Sequence, residues 1–199
     1  KSALAAGKDK TWLLYLHLLR GPAGILLLLI FIMSFGMTNF QNLVGLYTVS
    51  KFELNTQQVS LIWMMMGVIL IAVQGGLTGW LSKKVGELAL IRLGLIGGAI
   101  GFILVAAASN YLSLMVAIAA FICALALIGP ALNAHLSHFG GEHQGVLMGL
   151  NSAMTSLGKV LGPLWGGYIF EINMGYPFIS GAITLIIGLV FSLARMRKQ

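Results

Sequence analysis

The residues that could carry chemistry in this chain are few, and they sit at the edges of long apolar runs. His135, His138, Glu142 and His143 fall in "HLSHFGGEHQG" (135–145) and offer imidazole and carboxylate ligands. An HxxH spacing alone falls short of the ligand set that holds a metal. Glu142 is read instead as a negative charge favouring the start of the helix that follows, and no metal is assigned. A membrane-embedded protease needs a nucleophile with a base in reach. Every His, Asp and Glu here lies outside the runs long enough to span a membrane. No glycine cluster resembles a phosphate loop, so neither a cofactor nor an enzymatic activity is expected.

The polar residues inside the apolar runs carry more information. Lys159 stands in "SLGKVLGPLWGG" (156–167), among glycines and with no acidic residue within ten positions on either side. On a helical wheel at ~100° per residue, Asn151, Ser152, Thr155, Ser156 and Lys159 share one half with Gly158, Gly162 and Gly166. Val146, Leu147, Leu150, Ala153, Met154, Leu157, Val160, Leu161, Leu164, Trp165 and Tyr168 occupy the other. The oily half is expected to face lipid and the polar half a bundle interior. An earlier run repeats the device: Ser34, Thr38, Gln41 and Gly45 recur on one face, with Asn42 beside them and Asn39 further round. Polar groups at membrane depth are costly unless paired or solvated, and they commonly mark a pathway or cavity. Hydrogen bonding between helices is the plainer reading, and it serves Ser34, Thr38 and Ser156 equally well. Gln41, Asn42, Asn151 and Lys159 are read as lining a water-accessible cavity. Lys159 lies ~22 Å along its run from Gly145. It is open to three readings: a snorkelling ammonium, a cavity cation, or a buried neutral amine. The wheel favours the cavity.

The elements that must position these residues follow from composition. Of 199 residues 58% are hydrophobic and 9% charged, with a mean hydropathy of +0.94. Soluble domains carry roughly 25% charged residues. The apolar runs give six candidate spans, about 22–47, 58–82, 88–108, 112–134, 145–170 and 176–194. Each can cross a ~30 Å hydrocarbon core at ~1.5 Å per residue. They are too long for barrel strands, so the class is an all-α integral membrane fold. The net charge of +7 is a topology signal and not a nucleic-acid footprint. Six spans put both ends on one side, with Lys1, Lys8, Lys10, Arg20, Lys83, Lys84, Arg92, Arg195, Arg197 and Lys198. The other side receives only Lys51, so both termini are expected in the cytoplasm. Residues 1–21 read as a polar start with an interfacial helix around Trp12 and Tyr15. Outer loops are expected at 48–57, 109–111 and 171–177. Gly75, Gly76 and Gly79, and Gly94, Gly97, Gly98 and Gly101, offer small-residue faces for close helix contact. Cys123 is read as a packed hydrophobe, as is the Met64–Met66 run.

Two segments carry a resemblance. "GWLSKKVGE" (79–87) resembles the cytoplasmic loop of major facilitator transporters, which reads roughly G-x-L-x-D-R-x-G-R-R. Gly79, Leu81, Lys84 and Gly86 match, while Lys83 replaces the acid and Glu87 a base. "GEHQGVLMGLNSAMTSLGKVLGPLWGGYIF" (141–170) resembles the eleventh helix of drug:proton antiporters of the tetracycline and quinolone efflux type, and "SFGMTNFQNLVGLYT" (34–48) their seventh.

The resemblance implies the C-terminal six-helix half of a twelve-helix carrier, residues 22–199, with 1–21 as the central cytoplasmic linker. Its partners would be the N-terminal half, the bilayer and a small-molecule substrate, in a bacterial plasma membrane. Gly79, Lys83, Lys84, Gly86 and Glu87 would form the gating loop. Ser34, Thr38, Gln41, Asn42, Asn151, Thr155 and Lys159 would line this half's share of the central cavity. Some efflux relatives carry carboxylates near the positions of Gln41 and Ala126. Here the acids are Asp9, Glu53, Glu87, Glu142 and Glu171, all outside the span interiors. A coupling acid, if protons drive the carrier, is therefore expected in the other half.

Overall fold

The computed structural model describes residues 21–141 and 144–196. The linker expected over 1–21 falls outside them apart from Gly21, as do Glu142 and His143. The described residues are helical without a strand. Six helices follow in order: α1 (Pro22–Phe52), α2 (Thr56–Val85), α3 (Glu87–Ala107), α4 (Tyr111–Ser137), α5 (Gln144–Ile172) and α6 (Tyr176–Arg195). Five of them are long and apolar enough to cross a membrane. The exception is α5, 29 residues long, whose polar and glycine-rich half lowers its hydropathy.

Local signals explain where helices begin and end. Asn55 and Asn110 each cap the following helix with a reciprocal capping box, to Gln58 and Ser113, satisfying donors that would otherwise be orphaned. Only Gly86 separates α2 from α3, at φ 86° and ψ 155°, a conformation open to glycine and closed to side chains. The outer loop expected over 48–57 is shorter than the sequence indicates. There α1 continues to Phe52 and stops at Glu53, in left-handed conformation. The extra turn is held from outside: Lys51 Nζ donates to Ala106 O at 3.1 Å and Ala108 O at 2.9 Å. These carbonyls end α3 and lack intrahelical donors. Arg92 does the same at the far end of α6, donating to Ser192 O at 3.2 Å and to Met196 O.

The core joins α1, α3, α4 and α6. Phe40, Phe102, Phe121 and Phe178 meet at its centre, with ring centroids 4.3 Å apart for Phe102–Phe121 and 4.4 Å for Phe40–Phe121. Glycines on α3 let α4 come close. A Cβ on Gly97 would lie 2.8 Å from Ala124 Cβ, and one on Gly101 2.7 Å from Phe121 Cα. By contrast Gly75, Gly76 and Gly79 on α2 meet nothing within 4 Å. A small-residue face permits close approach but supplies no partner. Gly75 and Gly76 lie in a π-helical turn, Val73–Leu77, which Thr78 Oγ1 steadies by donating to Val73 O at 2.8 Å. Of the methionine run only Met66 is buried, and Met64 is exposed. Cys123 is exposed as well, since it lies on the side of α4 opposite Phe121 and Leu125.

Candidate substrate cavity

α5 attaches chiefly to α1, along a seam set by its glycines. Gly158, Gly162 and Gly166 are buried. A Cβ on Gly158 would lie 2.8 Å from Phe31 O, one on Gly162 2.6 Å from Phe35 O, and one on Gly166 against Asn39 Oδ1. Backbone therefore meets backbone at Gly158 and Gly162, and the Asn39 side chain fills the space at Gly166, the usual device for joining helices in lipid. Thr38 Oγ1 belongs to the seam, 2.6 Å from Ser34 O and 3.2 Å from Gly158 O. Asn39 is buried and donates to Pro177 O on α6 at 3.2 Å, while its Oδ1 accepts no hydrogen bond.

With α5 held against α1 and touching α4 only lightly, a space opens between the three helices. The cavity measures about 480 Å³, within the usual range for small-molecule sites. From α1 it is lined by Ile30, Met33, Ser34, Met37, Thr38 and Gln41. Gly129, Leu132 and Asn133 come from α4, and Asn151, Ser152, Thr155, Ser156 and Lys159 from α5. Six of the seven residues singled out in the sequence for such a wall thus stand around one space. The seventh, Asn42, is exposed outside the lining and donates to Thr38 O at 2.8 Å. Ser34 and Thr38 serve the helix seam and the lining together, so the two readings of them do not compete.

Lys159 is exposed into this space and is the lining's only charged side chain. Ion pairs among the described residues are confined to Glu87, so Lys159 has no carboxylate beside it. Pro163, one turn on, has no N–H to offer the Lys159 carbonyl. On the outer side of α5, Leu157, Val160, Leu161, Leu164, Trp165 and Tyr168 are exposed. Nearer the start of α5 the oily half turns inward, with Leu147 fully buried and Leu150 and Met154 packed on the core.

Asn133 is the polar lining residue that its sequence context did not single out. Asn151 Nδ2 donates to its Oδ1 at 2.9 Å, tying α5 to α4. It sat at the expected end of its span, where an asparagine reads as interfacial. Pro130, three residues earlier, was the available signal, since it interrupts the α4 backbone ladder.

At the C-terminal end of α4, just past the lining residue Asn133, the loop residues take separate paths. Lys83 and Lys84 are exposed in the last turn of α2, with Lys84 Nζ 5.0 Å over the Trp80 ring. Glu87 turns to α4, 3.0 Å from His135 Nδ1 and 3.4 Å from His138 Nε2. His135 lies within α4, which runs three residues past the expected end of its span. No group of side chains suited to a metal ion occurs among the described residues.

Five helices of membrane-crossing length, packed with α5 around a polar cavity wall that carries one basic side chain, are the architecture of a multi-pass membrane protein. The sequence matches the Major Facilitator Superfamily over residues 26–199. The chain belongs to that superfamily, which places it among membrane transporters and not enzymes. It is 33% identical over 175 residues to Multidrug resistance protein 2 of Bacillus subtilis (strain 168), covering 88% of this chain and 44% of that protein. To Multidrug resistance protein 1 of the same organism it is 31% identical, covering 85% and 44%. To the Quinolone resistance protein NorA of Staphylococcus aureus (strain COL) it is 29% identical, covering 86% and 44%. The chain thus spans less than half the length of the curated relatives it matches.

Proposed function

We propose that this chain supplies the C-terminal six-helix half of a bacterial drug or small-metabolite efflux carrier that works by alternating access. In this reading α5 spans the bilayer with the other five helices, both termini face the cytoplasm, and residues 1–21 link it to an N-terminal half. Ser34, Thr38, Gln41, Asn151, Thr155 and Lys159 form its share of the central wall, with Asn42 at the margin. Gly79, Lys83, Lys84, Gly86 and Glu87 form the cytoplasmic gating loop. Carriers of this kind rock one half against the other around a midplane site.

The observation that carries the proposal is the meeting of two polar helix faces, on α1 and α5, across one small-molecule-sized space. Such faces are expensive in lipid unless water or a ligand meets them. The multidrug and quinolone resistance names of the relatives support drug-like substrates. Acids among the described residues are Glu53, Glu87 and Glu171, all at helix ends. In the sequence Asp9 and Glu142 also lie outside the apolar spans, so if protons drive this carrier the coupling carboxylate is expected in the other half.

Transport of a fluorescent drug by the full-length carrier in proteoliposomes tests this. Saturable, ΔpH-driven movement is expected, with KM or maximal rate altered by Gln41→Leu and by Lys159→Met. Unchanged kinetics for both variants would sink the assignment of the wall, and indifference to ΔpH would exclude antiport.

A further inference from the structure

We infer that this cavity wall recognises the anionic group of its substrate, a carboxylate or a group of like charge, with Lys159 as the anchoring cation. The inference rests on the carrier reading above and adds the charge class of the ligand. Lys159 is the only basic or acidic side chain among the lining residues, and no described acid lies near enough to pair with it. An ammonium at membrane depth needs a counter-charge or water. Its helix face points it into the cavity and away from the lipid-exposed side of Val160 and Leu164. Lipid phosphates are therefore poor partners, and the counter-charge must enter from the cavity side, which is where a substrate anion would sit.

The neighbouring residues complete an anion site. Thr155 and Ser156 stand one helical turn from Lys159 on the same face, and both line the space. Residues three and four apart on a helix are neighbours, so two hydroxyl donors flank the ammonium. Gln41 adds an amide from α1. Beyond them Met33 and Met37 offer a pliable apolar shelf. The arrangement suits an amphiphile with an acidic head and an apolar body, and it repels an organic cation brought to the same place.

Competition of three isosteric probes, naphthylacetate, naphthylacetamide and naphthylethylamine, against a transported neutral dye tests the inference in the full-length carrier at neutral pH. The carboxylate is expected to compete about tenfold or more better than the amide, the usual worth of a charge-assisted hydrogen bond, and the amine worst. That ratio should collapse to about one in Lys159→Gln and return in Lys159→Arg. Equal competition by carboxylate and amide in the wild type, which needs no variant to fold, overturns the inference. So does a preference that survives Lys159→Gln. Dye transport without anion preference leaves the carrier reading standing alone, whereas absence of any dye transport removes both.

Discussion

Replacing Gly162 by alanine probes the seam on which the cavity depends. The new Cβ would lie 2.6 Å from Phe35 O, 2.7 Å from Thr38 Oγ1 and 3.1 Å from Asn39 N. Ordinary contact begins near 3.4 Å, so α1 and α5 must part by about 0.8 Å, since backbone cannot rotate away. Gly158 and Gly166 lie on the same seam and lose contact together. Overpacking of this kind costs about 1–3 kcal/mol, offset by an alanine helix preference of up to ~1 kcal/mol. A net loss of about 1–2 kcal/mol is expected. Gly167, its near neighbour, meets nothing within 4 Å, so Gly167→Ala should be neutral or slightly stabilising. At roughly 2–4 °C per kcal/mol for a chain of this size, the two variants should differ by several degrees. Thermal unfolding of the detergent-solubilised carrier reads the difference. A Gly162→Ala variant that melts at or above Gly167→Ala would refute a backbone-to-backbone seam.

Two further substitutions test the devices at the ends of the bundle. Lys51→Met removes the donor to Ala106 O, Ala108 O and the Tyr47 hydroxyl. It should cost about 1–2 kcal/mol after allowance for the lysine's exposure. Lys51→Arg should recover part of that, both read from the unfolding midpoint. Glu87→Gln breaks the contacts to His135 and His138. Because all three side chains are partly exposed, the loss should stay under about 1 kcal/mol, and a larger fall in melting temperature would mean that this clasp does more than join α3 to α4.

Much of the fold was legible because membrane helices announce themselves by length and apolarity. The bounds of the expected apolar runs and of the helices agree to within a few residues, except where α1 runs on to Phe52, although α5 falls short of the apolarity of a membrane span. That extension depends on Lys51 reaching carbonyls 55 and 57 residues away, a contact no local pattern encodes. The wheel of α5 was informative because its polar and apolar residues segregate, so Gly158, Gly162 and Lys159 could be placed on one side. Asn133, Met33 and Met37 were not legible as lining residues. Their side chains look like a span end and ordinary packing until α1, α4 and α5 are set around a common space. Gly75, Gly76 and Gly79 show the converse, a pattern with no neighbour to use it. Leu147 shows how a wheel averages over a helix whose two ends meet different surroundings.

The cavity wall itself is tested most directly by solvent access. Single cysteines at Gln41, Thr155 and Lys159, placed in the full-length carrier with Cys123 replaced by serine, should react with a membrane-impermeant thiol reagent. Transported substrate should protect them. Cysteines at Val160 and Leu164, exposed on the other side of the same helix, should not react. Equal labelling at both sets, or labelling that substrate leaves untouched, would contradict a substrate cavity between α1, α4 and α5.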